Sequence, residues 1–228
     1  MDPEGVVRRR RLPHWDVPGA VYFVTTCLHG SIPAQGLSNI EEYRSSLERR
    51  KQPESLSVEE WRVRKAKLVL AQVDEWLDQR PAVRWLEDER LAKIVVDSIN
   101  HFAGKRFEIW TYVIMPSHFH WVFRARDDWV ASLPDKRKKR SPRERIMHTL
   151  KLRTALECNK VLRQRGTFWQ DESYDHCPRD EEELGRIIEY VELNPVRAGL
   201  VGDPEQWRFS SAAERKRLRI PYQMPLPR

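Results

Sequence analysis

The chain has 228 residues, of which 40% are hydrophobic and 33% charged, and its net charge is +7. This length permits one domain with a sizeable core, and we predict a single domain over residues 1–228. No run reaches the roughly 18 consecutive apolar residues that a membrane span needs, and the N-terminus lacks the apolar core of a signal peptide, so we expect a cytoplasmic protein with no membrane partner.

The first predicted strand lies in "GAVYFVTTCLHG", where β-branched and aromatic residues are bounded by Gly19 and Gly30. Its place near the start of the chain favours a central position in a sheet. From about residue 36 to 80 the sequence changes to charged helix, with Ser57 and Glu60 at the spacing of a capping box. This segment has no evident chemistry, and we predict an inserted helical hairpin.

The middle of the chain predicts one helix followed by a β-hairpin. "DERLAKIVVDSINHF" places apolar residues at three- and four-residue steps, which is typical of an amphipathic helix. "RFEIWTYVIM" and "HFHWVFRA" are predicted strands, joined by a tight turn at Pro116 and Ser117.

The next part of the chain is strongly basic. Residues 136 to 166 hold twelve Lys or Arg against two Glu. They predict a polar loop, "KRKKR", and a basic helix that ends at Gly166, with Leu156 among its core residues. Such an excess of positive charge favours a nucleic-acid partner, although a basic helix can also be a merely solvated face.

The last predicted elements are an extended aromatic stretch, "TFWQDESYDHCP", and a helix in "RDEEELGRIIEYVELNPVRAGLV" that stops at Asn194 and Pro195. A basic tail follows from about 213 to 228. The order strand, helix, strand, strand, helix, short strand, helix predicts an α+β fold in which helices pack on an antiparallel sheet.

Two histidines, His118 and His120, stand one residue apart at the start of the second hairpin strand. On a strand, side chains two residues apart point to the same face, so both imidazoles project together. This is a possible metal-ligand arrangement. A half-buried strand can also carry two histidines that have no function.

On the last helix, Tyr190 and Asn194 lie about 40° apart at the border of the apolar stripe. Packing and a helix stop would explain them without any function. A phenol is a poor nucleophile at neutral pH because its reference pKa is about 10, so it needs a nearby cation. Two histidines and an amide oxygen could hold a divalent metal with sites open for phosphate oxygens, and Tyr190 could then attack phosphorus in line. A phosphotyrosine keeps the energy of the phosphodiester bond, which favours strand transfer over hydrolysis.

Tyr174, beside Asp175 and His176, is the rival nucleophile.

Four segments together resemble a known family: "VIMPSHFHWVF", "FWQDESYDH", "RDEEELGRIIEYVELNPVRAGLV" and "WRFSSA". In this order they resemble the REP-associated tyrosine transposases, which belong to the single-tyrosine HUH transposases. The resemblance is weakest over residues 36 to 80, although longer family members carry a helical insertion there.

The resemblance implies a ferredoxin-like antiparallel sheet with packed helices and specific roles for four residues. His118 and His120 would bind Mg²⁺ or Mn²⁺, Asn194 would be the third ligand, and Tyr190 would form a 5′-phosphotyrosine. Many relatives use Gln in place of Asn194. The implied partner is single-stranded or hairpin DNA of the repeated extragenic palindrome type, bound by a monomer or homodimer, which would place the protein at the nucleoid.

The basic helix supplies the expected phosphate contacts, and an aromatic residue after it is a candidate for stacking on a base. The residues are Arg143, Arg145, Lys151, Arg153 and Trp169. Aromatic residues at this density also fill cores. Two other functions stay open: a nucleic-acid-binding protein that has lost catalysis, and a metal-dependent hydrolase that releases free 5′ phosphates.

Overall fold

A computed structural model of the chain describes residues 6–9, 13–134, 140–171 and 173–227. Apart from Arg140, the predicted "KRKKR" loop lies outside these residues. The strands are β1 (Val6–Arg9), β2 (Pro13–Asp16), β3 (Val21–Cys27), β4 (Phe107–Ile114), β5 (His118–Ala125) and β6 (Tyr174–His176). The helices are α1 (Ala34–Arg49), α2 (Val58–Gln79), α3 (Glu89–Phe102), α4 (Asp127–Ala131), α5 (Pro142–Leu162), α6 (Glu181–Arg197) and α7 (Ala212–Leu218).

Four strands form the main sheet in the order β4-β5-β3-β6, with every neighbouring pair antiparallel. The predicted α+β class is confirmed, and β3 is a central strand as expected. The sequence β3-α3-β4-β5-α5-β6 combined with this strand order is the ferredoxin-like arrangement. β1 and β2 pair separately as a two-stranded ribbon.

The main sheet is covered on both faces because its strands bury alternate side chains on opposite sides. Tyr22 and Val24 of β3 and Trp121 of β5 pack in the cluster that includes residues of α3 and α5. Phe23 and Val122 point the other way and pack against α6. His118 and His120 share the parity of Val122, so they face the side of the sheet that α6 covers.

The segment predicted to be an insertion forms α1 and α2, which we call the insertion and which pack against each other and against the α6 side of the sheet. α2 begins with the predicted capping box, in which Ser57 and Glu60 each bond the other's backbone amide. The two helices cross closely at Gly36, where an added Cβ would lie 2.8 Å from the Trp76 ring. This close crossing fixes α2 over the sheet.

Two predicted helix ends are wrong. α6 continues through Asn194 and Pro195 to Arg197, because the Asn194 carbonyl still accepts a bond from the Ala198 amide at 3.0 Å and both Asn194 and Pro195 are buried. α5 ends at Leu162 rather than Gly166, since Arg163 takes the left-handed conformation with φ 53° and bonds back to the last turn.

The basic helix also departs from the predicted core. Leu156 is 54% exposed, because it lies on the outer face of α5. The tail after residue 213 starts within α7, and its end runs along the sheet, where the Leu226 amide donates to the Ile109 carbonyl at 2.6 Å. Within the described ranges, no helix combines the length and apolar character that crossing a bilayer requires.

Candidate active site

The His118 and His120 side chains are fully buried at the start of β5. Their Nε2 atoms face each other at 2.9 Å, because both side chains project from the same face of one strand. The Met115 amide closes the preceding turn on the His118 carbonyl at 2.8 Å. The pair is thereby held in position by a tight hairpin.

Ser117 determines which ring nitrogen of His118 carries the proton. Its hydroxyl donates to the Leu77 carbonyl of α2 at 2.9 Å, so the hydroxyl proton is already used. The Ser117 oxygen lies 3.0 Å from His118 Nδ1 and must accept from it. A neutral His118 therefore carries its proton on Nδ1 and has a lone pair on Nε2, the form that binds a metal.

Thr25 orients the second ring. It pairs with His120 across the β3–β5 ladder, and its Oγ1 lies 2.8 Å from His120 Nδ1. Burial lowers the pKa of His118 to about 3. Burial, and then the nearness of His118, hold the pKa of His120 well below its usual value. Both rings are therefore neutral at physiological pH, as metal ligands must be.

The insertion contributes an acidic side chain to this pair, which the sequence prediction missed. Asp74 of α2 is 5% exposed, and its Oδ1 lies 4.0 Å from His120 Nε2. Asp74, His118 and His120 offer ligand atoms that all lie within 4.8 Å of one another. Asp78, one turn later, places Oδ1 3.8 Å from His118 Nε2.

Burial changes the acidity of both carboxyl groups. Burial raises the pKa of Asp74 to about 8; a hydrogen bond from Tyr190 opposes this rise, and nearby Asp78 adds to it. Burial also raises the pKa of Asp78 to about 7, against the lowering effect of Arg197. Both groups therefore gain or lose protons near neutral pH.

Tyr190 reaches this cluster from α6. Its hydroxyl donates a hydrogen bond to Asp74 Oδ2, and its ring centroid lies 5.8 Å from that of His120. The Arg197 guanidinium carbon stands 4.9 Å from the Tyr190 ring centroid. Burial and the Asp74 carboxylate raise the pKa of Tyr190 well above its ordinary value, so the hydroxyl holds its proton unless a neighbour accepts it.

Asn194 lies one turn after Tyr190 and is 1% exposed. Within the described part of the chain, the Asn194 Oδ1 is buried without a hydrogen-bond partner, as are Oδ1 of Asp74 and Oδ1 of Asp78. Buried oxygens without partners cost free energy, and a cation is one way to satisfy them. Two imidazole nitrogens with a nearby carboxylate oxygen fit a divalent ion such as Mn²⁺.

The rival tyrosine lies further along the same side of the sheet. Tyr174 begins β6 and pairs with Thr25, and it is half-buried. It lines a cavity together with Asp74 and Tyr190. The hydroxyl that donates to Asp74 is that of Tyr190.

Two of the predicted DNA-binding residues lie inside the fold. Arg143 is 4% exposed and forms an ion pair with Asp175 at 3.3 Å. Trp169 is also 4% exposed, and its Nε1 donates to Thr154 at 2.8 Å. Both side chains therefore make their contacts inside the fold.

The other three predicted contacts lie nearer the surface of α5. Lys151 Nζ donates to the carbonyls of Gln170 and Asp171 at 2.5 and 2.9 Å, so it tethers the loop before β6. Arg145 is half-buried, and Arg153 is exposed.

Comparison with known proteins gives two curated relatives. A protein named REP-associated tyrosine transposase from Escherichia coli is 25% identical over 107 residues, which span 46% of this chain and 54% of that protein. A putative REP-associated tyrosine transposase from Haemophilus influenzae is 26% identical over 137 residues, or 54% of this chain and 73% of that protein. The chain is similar in sequence to REP-associated tyrosine transposases.

The match to the Escherichia coli protein covers only about half of that protein's length. A solved structure of a REP-associated tyrosine transposase bound to a REP hairpin aligns over 95% of this chain and 91% of that one, with 15% identity and a TM-score of 0.49. No protein-family model matches the chain.

Proposed function

We propose that this protein cuts and rejoins single-stranded DNA at hairpin sequences through a covalent bond between Tyr190 and a 5′ phosphate. The observation that carries the proposal is the hydrogen bond from the Tyr190 hydroxyl to Asp74, inside the cluster that holds His118 and His120. The similarity to proteins named tyrosine transposases supports the same chemistry.

In the cleavage step the Tyr190 oxygen bonds to phosphorus, and the bond from phosphorus to the 3′ oxygen breaks. The phenolic proton passes to Asp74 along the existing hydrogen bond, and the departing 3′ oxygen takes a proton from water. Because the Tyr190 hydroxyl already donates to Asp74 Oδ2, the ionised carboxylate lies within reach of this proton and can act as the general base. Attack by a free 3′ hydroxyl on the phosphotyrosine reverses the step and joins a new strand.

Arg197 and the histidine pair have separate roles in this proposal. The Arg197 guanidinium beside the Tyr190 ring lowers the cost of negative charge on the phenolic oxygen. His118 and His120, together with Asp74 or Asn194, would hold a divalent ion, Mg²⁺ or Mn²⁺. When bound, such an ion polarises a phosphate oxygen and stabilises the charge that develops there.

A labelled DNA hairpin with a single-stranded flank tests the proposal. Incubation with Mn²⁺ followed by a denaturing protein gel is expected to show a labelled band at the mass of the protein. Tyr190→Phe is expected to abolish the band. Tyr222→Phe is the matched control, because Tyr222 is 40% exposed near the C-terminus, and it is expected to keep the band.

Three results would contradict the proposal. A band that persists in Tyr190→Phe and disappears in Tyr174→Phe would assign the nucleophile to Tyr174. Free 5′ phosphates without a labelled protein band would indicate a hydrolase. Hairpin binding with neither cleavage nor a band would indicate a DNA-binding protein without catalysis.

A further inference from the structure

A cavity of about 350 Å³ opens beside Tyr190, between the insertion and the main sheet. Its walls come from α1, α2, β6 and α6, and Phe23 of β3 lies at its base. This volume falls within the roughly 300–1,000 Å³ that is typical of ligand pockets. Because α1 and α2 supply one whole wall, the insertion creates a compartment that the sheet and α6 alone would not enclose.

The inner surface of this cavity is apolar and partly aromatic. Phe23, Leu47 and Val69 line it and are 3%, 1% and 9% exposed. The half-buried Tyr174 adds a second aromatic ring to the lining. Aromatic side chains stack on the flat faces of nucleic-acid bases with little preference for sequence, and the aliphatic side chains add apolar contact.

Cationic side chains outnumber acidic ones in the cavity lining by five to four. The cationic lining residues are Arg44, Arg62, Lys65, Lys67 and Arg186. The side chains of Lys67 and Arg186 are 43% and 54% exposed. One exposed acid, Glu48, also lines the cavity, and it lies 2.5 Å from Lys65.

Three further acids line the cavity with buried side chains: Asp74, which accepts the hydrogen bond from Tyr190, Asp175 and Glu183. The Asp175 side chain is 4% exposed and lies 3.3 Å from Arg143. The Glu183 side chain is 1% exposed, lies 3.0 Å from Arg179 and also forms an ion pair with Lys67. The cavity therefore combines an apolar interior with two exposed cations at its rim, Lys67 and Arg186, which match the base and the phosphate of one nucleotide.

The position of the cavity relates its occupant to the cleavage step. Tyr190 and Asp74 belong to its lining, so an occupant lies against the residue that attacks phosphorus. A nucleotide held there would fix the neighbouring phosphodiester against Tyr190, and this kind of positioning accelerates a reaction.

We infer that this cavity binds one unpaired nucleotide of the strand that Tyr190 cleaves. The base lies against Phe23, Val69 and Tyr174, and a flanking phosphate lies at Lys67 and Arg186. The statement that the nucleotide belongs to the cleaved strand rests on the proposed function. The shape, lining and charges of the cavity are independent of that function. The insertion, which lacks chemistry in its sequence pattern, thus becomes part of the DNA-binding surface.

An abasic scan of the single-stranded flank tests this inference. Hairpin DNA carrying a single abasic site at successive flank positions is titrated with the full-length protein in a chelating buffer, so that no cleavage occurs. One position is expected to bind about tenfold more weakly than the intact flank, as the loss of one stacked base predicts. The other positions are expected to change affinity little.

A cavity-filling variant provides the decisive comparison. Ala71 is exposed on α2 and lines the cavity, so Ala71→Trp fills the space without disturbing the core. In this variant, the abasic site that weakens binding to the unchanged protein is expected to have little effect on affinity. The control variant, Ala213→Trp, changes an exposed alanine on α7 and is expected to keep the loss of affinity at that abasic position. A hairpin without a flank should bind Ala71→Trp as it binds the unchanged protein, which establishes that the variant is folded.

Charge at the rim is tested separately. Arg186→Gln removes an exposed cation whose partner, Glu182, is itself 83% exposed, and it is expected to weaken binding of the flanked hairpin more than binding of the bare hairpin. Lys93→Gln removes a similarly exposed i,i+4-paired cation on α3 and is expected to leave the ratio of the two affinities unchanged.

A flat abasic profile in the unchanged protein would assign the cavity to another occupant and overturn the inference. A sensitive position that survives Ala71→Trp would overturn it as well. Because these titrations need no cleavage, failure to form a covalent adduct would refute the proposed function and leave the nucleotide-binding result readable.

Discussion

Asp74→Asn is expected to stabilise the metal-free protein while it impairs DNA cleavage. The Asp74 carboxyl group is 5% exposed, and burial raises its pKa from 3.8 to about 8. Because the folded-state pKa exceeds the unfolded value, the unfolded chain ionises first. The contribution of Asp74 to the stability of the unchanged protein therefore falls as pH rises from about 4 to about 8, and then levels off.

The size of this effect follows from the pKa difference. Each pH unit inside that window costs about 1.4 kcal/mol for one such group, so two units, from pH 5 to pH 7, cost about 3 kcal/mol. The Asn variant has no ionisable group at this position. The titratable groups that face Asp74, namely Asp78, Tyr190, His118 and His120, are present in both proteins, so the difference between them reports mainly Asp74.

Urea unfolding in a chelating buffer at pH 5, 6 and 7 measures the difference. The stability of Asp74→Asn relative to the unchanged protein should rise by about 3 kcal/mol between pH 5 and pH 7. Asp97→Asn, which changes a 60% exposed carboxylate on α3, should show no such trend. A pH-independent difference for Asp74→Asn would refute the reasoning.

In the adduct assay the same variant should lose about 10²- to 10⁴-fold in rate, as removal of a general base predicts.

Three further predictions concern the metal pair, the core and the basic helix. His120→Ala should reduce adduct formation by about 100-fold. Hairpin affinity, measured by fluorescence anisotropy, should stay largely intact. An equal loss of adduct formation and of hairpin affinity would contradict a role for His120 as a metal ligand. Trp169→Ala should lower the free energy of unfolding by about 3–5 kcal/mol in a urea titration, because the ring is buried and bonded to Thr154; a stable variant with weakened DNA binding would instead restore its role as a stacking residue. Hairpin affinity should fall steeply as the salt concentration rises. Replacing Arg145 and Arg153 together by Gln should reduce the slope of log affinity against log salt by about 2. An unchanged slope would show that the DNA phosphates do not contact these two residues of α5.

The fold was predictable because its elements carry strong local patterns. The apolar spacing in α3 and the two strand patterns around Pro116 and Ser117 define a helix and a hairpin without reference to the rest of the chain. Strand alternation also predicted that His118 and His120 share a face. The end of α6 was mispredicted because a proline removes one backbone hydrogen bond and so usually ends a helix. Here the turn that contains Pro195 is buried, and burial is a tertiary effect that the sequence does not display.

Asp74 was missed because its partners are more than 40 residues away in the chain and meet it only when α2 packs on the sheet. One signal was available: Asp74 lies among Val73, Trp76 and Leu77, in the apolar stripe of its helix. A carboxylate at such a position has to find a partner when it is buried. The burial of Arg143 was not foreseen either, because the sequence shows it as one charge of the basic helix, whereas Asp175 of β6 pairs with it inside the fold.

Mass spectrometry of the protein after incubation with hairpin DNA and Mn²⁺ tests the central claim most directly. Nuclease and protease digestion should leave a nucleotide attached through its 5′ phosphate to the peptide that contains Tyr190, and to no other peptide. An adduct on the peptide that contains Tyr174, or DNA cleavage with no modified peptide, would contradict the account.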